Sequence, residues 1–506
     1  MNVLFATIEG AATTSPWAWV SVGSVAHLSA FGAVVLHCLQ HRKEATSTIL
    51  WIFTAWSFPV VGPLLFLAYG IDRVPAKGWR KDESNRRFLR ERAAREHPSM
   101  PLAHWREIRA ALAQEPLPPA AQEFNRLMDT VLAECPLLGA NRIVPLVTGD
   151  EAFPLMLAAI ESASHHIHVQ TFILGNDATG RLFMEALKKR AEAGVVVRLL
   201  FDRFGSTHAL IGGLIAQYTH IPNMHVVGWT MANPLKRQFQ INLRNHRKLL
   251  VVDGRTAFMG GINLQAENTT RPGQLPARDY HFEIEGPLIS ELQYTFLRDW
   301  YFMTGESPEQ LLREEYFPRT AAAGSARARV INAGPTSEME VMTDTFFAAI
   351  GSARREILAV TPYLVPTPDI LRAFRVAALR GVTVRLVLPL KSNHLYAGMA
   401  GRALYDDLLN AGVKIFERPP PFIHAKALIV DDAVAIVGTA NLDVRSLRLN
   451  YETNIAVFDD EFISRLKHFV MEDVSLSREL ELDRWRARPA LLRIIENACN
   501  LLTPIL

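Results

Sequence analysis

Two stretches of the chain hold the residues best suited to chemistry. "NHRKLLVVDGRTAFMGGINL" begins at Asn245 and "IHAKALIVDDAVAIVGTANL" begins at Ile423. Each sets a His and a Lys two residues apart: His246 with Lys248, and His424 with Lys426. The two pairs are 178 positions apart, and the same offset relates Asp253 to Asp431, Gly260 to Gly438 and Asn263 to Asn441. One HxK(x)4D is a weak signal, because a basic pair on a strand is more often a solvated face. Two in one register, each followed by GxxN, are not a product of composition.

Each copy reads as a β-hairpin, with Leu249 to Val252 as one strand, a turn at Asp253-Gly254 and a return from Thr256 to Met259. Residues i and i+2 of a strand share a face, so His246 and Lys248 point together. Asp253 and Asp431 complete the motif and are grouped with the candidate catalytic residues. Their parity and turn position suit them to holding the hairpin. Gly260 and Gly438 permit close backbone approach, and Asn263 and Asn441 follow as candidate substrate-binding donors. Two Lys and two Asn in one cleft suit a phosphate with charged non-bridging oxygens. One neutral imidazole can attack phosphorus while the other, protonated, donates to the leaving oxygen. A neighbouring carboxylate would orient an imidazolium, and Asp279 in "ARDYHFE" and Glu452 in "LNYETN" are the supporting candidates. The set calls for no metal and no cofactor. There is no HExxH, and "GTANLD" lacks the Lys and helix context of a phosphate-binding loop.

The elements that must carry these residues are also repeated. "AAIESASHHIHVQTFIL" (Ala158 to Leu174) resembles "AAIGSARREILAVTPYL" (Ala348 to Leu364), and "AEAGVVVRLLFD" (Ala191 to Asp202) resembles "ALRGVTVRLVLP" (Ala378 to Pro389). Each reads as a helix end followed by a buried strand, the second pair with a Gly cap between them. Alternating strands and helices predict an α/β fold of two similar lobes related by a pseudo-twofold. The expected division is 136–315 for the first lobe, with its motif at 246–263, and 316–506 for the second, with its motif at 424–441. Residues 73–135 read as a basic helical connector, broken at "PLPP" (Pro116, Leu117, Pro118, Pro119).

Ahead of the connector, residues 1–72 read as a membrane anchor. Two apolar runs, about 17–39 and 47–71, are each long enough to span a bilayer. A cleaved signal peptide fits poorly, because no Lys or Arg precedes Trp17. Pro59 and Pro63 are expected to kink the second run, and a re-entrant hairpin is the other reading. Arg42 and Lys43 lie between the runs, and a richer set follows: Arg73, Lys77, Arg80, Lys81, Arg86, Arg87, Arg90, Arg92 and Arg95. The positive-inside rule therefore puts both termini and the catalytic lobes on the cytoplasmic side, in a multi-pass protein. The basic segment is expected to lie against anionic headgroups or, since Asp82, Glu83, Glu91 and Glu96 interleave, to be a solvated helix. The tail places Trp485, Leu491, Leu492, Ile494, Ile495 and Leu501 among basic residues, which fits an interfacial amphipathic helix or one docked on the body. Three scattered cysteines, Cys38, Cys135 and Cys499, form no disulfide or zinc pattern. A net charge of +3 singles out no partner. Aromatic residues are not concentrated near the motifs, so nucleic acid is not expected as a ligand. Oligomeric state is not readable.

The paired HxK(x)4D(x)6GxxN motifs resemble those of the phospholipase D superfamily. "WIFTAWSFPVVGPLLFLAYG", "LLFDRFGS", "INLRNHRK", "VTPYLVP", "DVRSLRLNYETN" and the tail "WRARPALLRIIENACNLLTPIL" narrow the resemblance to bacterial cardiolipin synthases, over nearly the whole chain. It departs at Thr439, where the superfamily usually shows Ser, and at the Asp431-Asp432 turn. Glu452 matches the family's supporting carboxylate well, and Asp279 matches more loosely. The resemblance implies a bacterial inner-membrane phosphatidyltransferase. His246 would attack phosphatidylglycerol, releasing glycerol and leaving a phosphatidyl-histidine. A second phosphatidylglycerol would then attack to give cardiolipin, with His424 as acid and then base. A synthase using phosphatidylethanolamine, or a hydrolytic membrane phospholipase D, would use the same residues.

Overall fold

The computed structural model describes residues 16–40, 45–70, 74–100, 102–112, 117, 119–132, 134–229, 243–335 and 338–501. Arg42, Lys43, Arg73, Pro116 and Pro118 lie outside them, so the inter-run loop and most of the "PLPP" break are not described. The chain divides into two units, Met1–Pro75 and Ala76–Leu506.

In the first unit the earlier apolar run is one helix, Pro16–Gln40. Among the described residues it is the one helix long and apolar enough to cross a membrane, over Gly23–Gln40. The later run is not continuous. It forms a helix at Ala45–Ser57, a turn, a short helix at Val61–Leu65 and a π-helical turn at Phe66–Gly70. Pro59 lacks the N–H that would continue the first helix. Val60 takes a φ of 65°, and Val61 N donates back to Pro59 O at 2.7 Å. Gly62 then packs against the Thr54 carbonyl with no room for a Cβ.

The second unit is built on one 15-stranded mixed sheet. Its first half comprises β1 (Leu138–Val147), β2 (His166–Thr171), β3 (Val196–Asp202), β4 (Met224–Trp229), β5 (Leu249–Val252), β6 (Thr256–Gly260) and β7 (Tyr280–Glu285). The second half comprises β8 (Ala326–Ala333), β9 (Glu356–Val360), β11 (Thr383–Pro389), β12 (Lys414–Arg418), β13 (Ala427–Val430), β14 (Val434–Gly438), β16 (Glu452–Phe458) and β17 (Arg478–Glu479). The two-residue strands β10 (Leu364–Val365) and β15 (Leu442–Asp443) pair apart from it. From the central antiparallel pair β1–β8, one half runs β1-β7-β6-β5-β2-β3-β4. The other runs β8-β16-β14-β13-β9-β11-β12, with β17 added at the edge. The order is the same in both directions, so the sequence repeat is a repeat of topology. The parallel strands β3, β9 and β11 carry near-continuous apolar runs because helices cover them, whereas β2 alternates, Ile167 and Val169 entering the core and His168 and Gln170 bonding Gln293 and Asp299.

Each half has its own apolar core. One gathers Phe153, Ile160, Val169, Leu199 and Phe258, and the other Phe346, Ile357, Leu386, Ile436 and Trp485. The helix Leu288–Thr304 is buried from Leu288 through Trp300, and its polar residues need partners there. The connector supplies two. Arg92 donates twice to Glu291, at 2.6 and 3.0 Å, and Lys81 lies 3.0 Å from Asp299. The connector helix Val74–Arg95 is therefore neither wholly solvated nor wholly available to headgroups. Lys81 and Arg92 face the protein, while Arg80, Arg86, Arg87 and Arg90 are exposed. Trp485, grouped with the amphipathic tail from sequence, is a core residue in contact with Tyr405.

Candidate active site

The site forms where the two halves meet, and backbone hydrogen bonds bring its parts together. His246 N donates to Tyr451 O at 3.0 Å, and Tyr451 N donates to Arg244 O at 2.9 Å. The same pair of bonds recurs in the other half. His424 N donates to Arg278 O at 2.7 Å, and Arg278 N donates to Phe422 O at 2.9 Å. Tyr451 immediately precedes Glu452, and Arg278 immediately precedes Asp279. Each histidine segment is thus tied to the chain that carries a carboxylate of the opposite half.

The side chains follow this exchange. His246 Nδ1 is 2.9 Å from Glu452 Oε2, and His424 Nδ1 is 2.6 Å from Asp279 Oδ2. A carboxylate on Nδ1 fixes the ring and leaves Nε2 to face a substrate. Thr439 Oγ1 donates to Glu452 Oε2 at 2.6 Å, and Asn450 Nδ2 donates to Oε1 at 3.1 Å. The hydroxyl at position 439 therefore orients the carboxylate that holds His246. Lys248 Nζ donates to His246 O at 2.7 Å. Lys426 Nζ bonds His424 O and lies 2.8 Å from His424 Nδ1.

Burial dominates the electrostatics. It lowers His424 to about 4, with Lys426 adding to the shift and Asp279 opposing it. It also lowers His246, which Glu452 partly offsets. Burial pulls Lys248 down to about 7 and Lys426 to about 8, against the attraction of Glu452 and Asp279. Burial alone would raise both carboxylates. The cationic Lys426 and the His424 bond hold Asp279 below its ordinary value, and His246 does the same for Glu452. The centre is a buried cluster of imidazoles and amines in which a bound anion is strongly felt.

Asp253 and Asp431 take the turn positions that their parity suggested. Both sit at the far ends of the hairpins, at φ 53°. Asp253 accepts from Ser164 N, Ser164 Oγ, His165 N and His166 N at 2.7–2.9 Å. Asp431 accepts from Arg354 N, Arg355 N and Glu356 N at 2.6–2.8 Å. They fasten each hairpin to the start of the neighbouring strand, and their carboxylates bond there rather than to His246 or His424. Asp432 at φ 54° takes the place of Gly254, since Asp tolerates left-handed backbone. Gly260 and Gly438, at φ 150° and 151°, lie against Tyr280 O and Thr453 O, where a side chain would collide. Asn263 accepts from Ile173 N at 3.2 Å, while Asn441 donates to Asp443 at 3.0 Å and keeps its buried Oδ1 without a protein partner.

Sequence reasoning missed the supports behind His246. Arg247 lies on the opposite face, wholly buried. It donates to Asp299 Oδ2 at 2.5 Å, which also receives Asn245 Nδ2 at 3.0 Å and Gln170 Nε2 at 2.8 Å. The period-2 parity that paired His246 with Lys248 also points Arg247 away from them, but its distant partner has no local signal. The equivalent position in the second half is Ala425, so the second half has no arginine at this position. His281 is a second such residue, buried beside Asp279 and Lys248 with both ring nitrogens unpartnered in the protein. Among the described residues no group of three or more His, Cys, Asp or Glu side chains is arranged to hold a metal ion.

A duplicated sheet that brings two HxK pairs to its midline, each imidazole backed by a carboxylate, is the architecture of the phospholipase D superfamily. The fold agrees with that of a phosphatidylserine synthase from Haemophilus influenzae Rd KW20, at TM-score 0.59 and 13% identity, over 76% of this chain and 100% of that one. Residues 156–300 and 346–473 match the family described as cardiolipin synthase, PLD-like domain. A cardiolipin synthase of Geobacillus kaustophilus (strain HTA426) is 34% identical over 92% of this chain and 90% of its own. Cardiolipin synthase 2 of Bacillus anthracis is 32% identical over 92% of this chain and 88% of its own. The chain belongs to the cardiolipin synthase family, phosphatidyltransferases of the phospholipase D superfamily.

Proposed function

We propose that the protein transfers a phosphatidyl group between two phosphatidylglycerol molecules, giving cardiolipin and glycerol through a phosphatidyl-histidine. The observation that carries this reading is the exchanged pairs His246–Glu452 and His424–Asp279, with Lys248 and Lys426 each bonded to the carbonyl of its own histidine. His246 Nε2 forms a bond to phosphorus as the bond to the departing glycerol oxygen breaks. His424 delivers the proton to that oxygen. The hydroxyl of a second phosphatidylglycerol then gives its proton to His424 and attacks phosphorus, and the P–N bond breaks. The anionic diester draws the depressed pKa of the imidazolium back upward. The lysines, with Asn263 and Asn441, hold the non-bridging oxygens as charge moves onto them.

His246 is the better nucleophile of the two because its Nδ1 meets only a carboxylate, whereas His424 Nδ1 also meets the Lys426 amine. Trapping labelled lipid on denatured enzyme and mapping the modified histidine tests this. Label on His424 reverses the roles. Product analysis with purified protein and defined lipids tests the reaction itself. Cardiolipin with glycerol supports it, ethanolamine release points to the other donor, and phosphatidic acid alone means hydrolysis.

We further propose that residues 1–72 anchor the protein in the bacterial cytoplasmic membrane by two spans, with lobes 136–315 and 316–506 in the cytoplasm. The apolar helix Gly23–Gln40 and the exposed Arg80, Arg86, Arg87 and Arg90 support this orientation. Membrane-impermeant thiol labelling of single cysteines placed in the loop and in the lobes checks it.

A further inference from the structure

The helix Ala490–Leu501 docks with its polarity inverted. On a helical projection Leu491, Ile494, Ile495, Ala498 and Leu501 share one arc, and Glu496 stands opposite. Glu496 is the residue buried against the body, 1% exposed, where Arg402 Nε at 3.2 Å and Arg488 at 2.8 Å neutralise it. The apolar arc faces outward, with Leu491 69%, Ile494 63% and Leu501 80% exposed. Leu395, 71% exposed, starts the neighbouring helix Leu395–Arg402, whose Tyr396 hydroxyl donates to Cys499 O at 2.5 Å. A helix held only for stability would bury the arc and expose the acid.

The helix that carries Leu395 also packs against the strand pair beside the active site. Gly401 lies against the Leu364 carbonyl with no room for a side chain. Leu364 and Val365 pair with Leu442 and Asp443, next to Asn441. Exposed Lys391 and Arg493 flank the ridge with positive charge. We infer that the Ala490–Leu501 ridge docks onto an anionic phospholipid bilayer, seating its apolar arc among the acyl chains and presenting the catalytic cleft to lipid still in the membrane. This rests on the phospholipid reading of the site. Its contribution adds to that of the apolar helix Gly23–Gln40, because a seated amphipathic ridge gains affinity from its own buried apolar area and basic flank.

The test uses the full chain reconstituted in vesicles of phosphatidylglycerol and phosphatidylethanolamine that carry a photoactivatable phospholipid. Peptide mapping should find lipid on 490–501 in the unmodified protein. Leu491→Glu/Ile494→Glu should cut that labelling at least five-fold, with labelling elsewhere in the chain as internal reference and with unchanged thermal unfolding. In vesicles its cardiolipin formation should fall about ten-fold through a raised apparent KM for surface lipid, and in detergent-dispersed lipid it should match the parent. Leu491→Ala/Ile494→Ala, which preserves helix propensity, should show the same trend more weakly. No lipid on 490–501 in the unmodified protein overturns the inference, and so does an equal activity loss in both media. Labelling needs no turnover, so failure of the catalytic reading leaves this result standing on its own.

Discussion

Glu452 Oε2 lies 2.9 Å from His246 Nδ1, although the two residues are 206 positions apart and belong to different halves of the sheet. Asp279 and His424 make the reciprocal contact across 145 positions. Neither half holds a complete site, because the carboxylate that orients each imidazole is supplied by the other. In the proposed reaction the seam between the halves therefore matters as much as either motif.

The first consequence concerns the histidines. His246→Ala and His424→Ala should each abolish cardiolipin formation from phosphatidylglycerol in vesicles while the protein stays folded by circular dichroism. Full activity in either variant would end the two-histidine mechanism.

The exchanged carboxylates give a second prediction. Glu452→Gln and Asp279→Asn keep shape and remove charge, so each should lower kcat by roughly 10²–10⁴-fold, as for other imidazole–carboxylate pairs. Because the carboxylates are exchanged, Glu452→Gln should impair the step performed by His246 and Asp279→Asn that of His424. Measuring formation and breakdown of the trapped phosphatidyl-enzyme separately tells them apart.

The lysines set the pH dependence. Lys248 at about 7 and Lys426 at about 8 bind the phosphate only when protonated. The kcat/KM should therefore fall as pH rises through that interval. In kcat the limb should lie higher, since a bound anion favours the ammonium. Stability should move the opposite way. Lysines in the unfolded chain titrate near about 10.4, so above pH 7 the unfolded state binds more protons and these sites favour folding increasingly up to that value. Lys248→Arg should carry the activity limb upward, and an unmoved limb would rule out Lys248 as its source.

The turn aspartates should behave as structural residues. Asp253→Ala strands the backbone donors of Ser164, His165 and His166 and leaves a non-glycine residue at positive φ. A loss of about 1–3 kcal/mol is expected, read as a lower Tm. Well below that Tm the rate should stay near the parent value, and a collapse of kcat there would return Asp253 to the chemistry.

The buttress behind His246 yields a last prediction. Asp299→Ala leaves Arg247 and Lys81 buried without their shared counter-charge. Breaking such a network costs roughly 3–5 kcal/mol. Denaturant unfolding should show that loss, whereas Arg87→Ala, at the exposed Arg87–Glu83 pair on the same connector helix, should lie within about 1 kcal/mol of the parent.

Much of this protein is written locally. The shared register of the two motifs, the parity that turns His246 and Lys248 to one side, the left-handed turns at Asp253 and Asp431 and the repeated strand–helix units depend on neighbours a few residues apart. A sequence displays such relationships directly. It also shows Asp279 following His246 and Glu452 following His424. What it does not show is that the fold exchanges them, because that depends on which strands meet at the seam. For the same reason Arg247 finds Asp299, and Lys81 of the connector reaches the same carboxylate, only once a helix distant in sequence is packed beneath the sheet. The prolines announce a kink in the second apolar run, but its form depends on how Val60 turns at positive φ and Gly62 packs against Thr54. The tail helix is the sharpest case. Its amphipathic pattern is plain in sequence, but the direction in which the pattern faces is a tertiary fact, decided by two arginines that hold Glu496 inward.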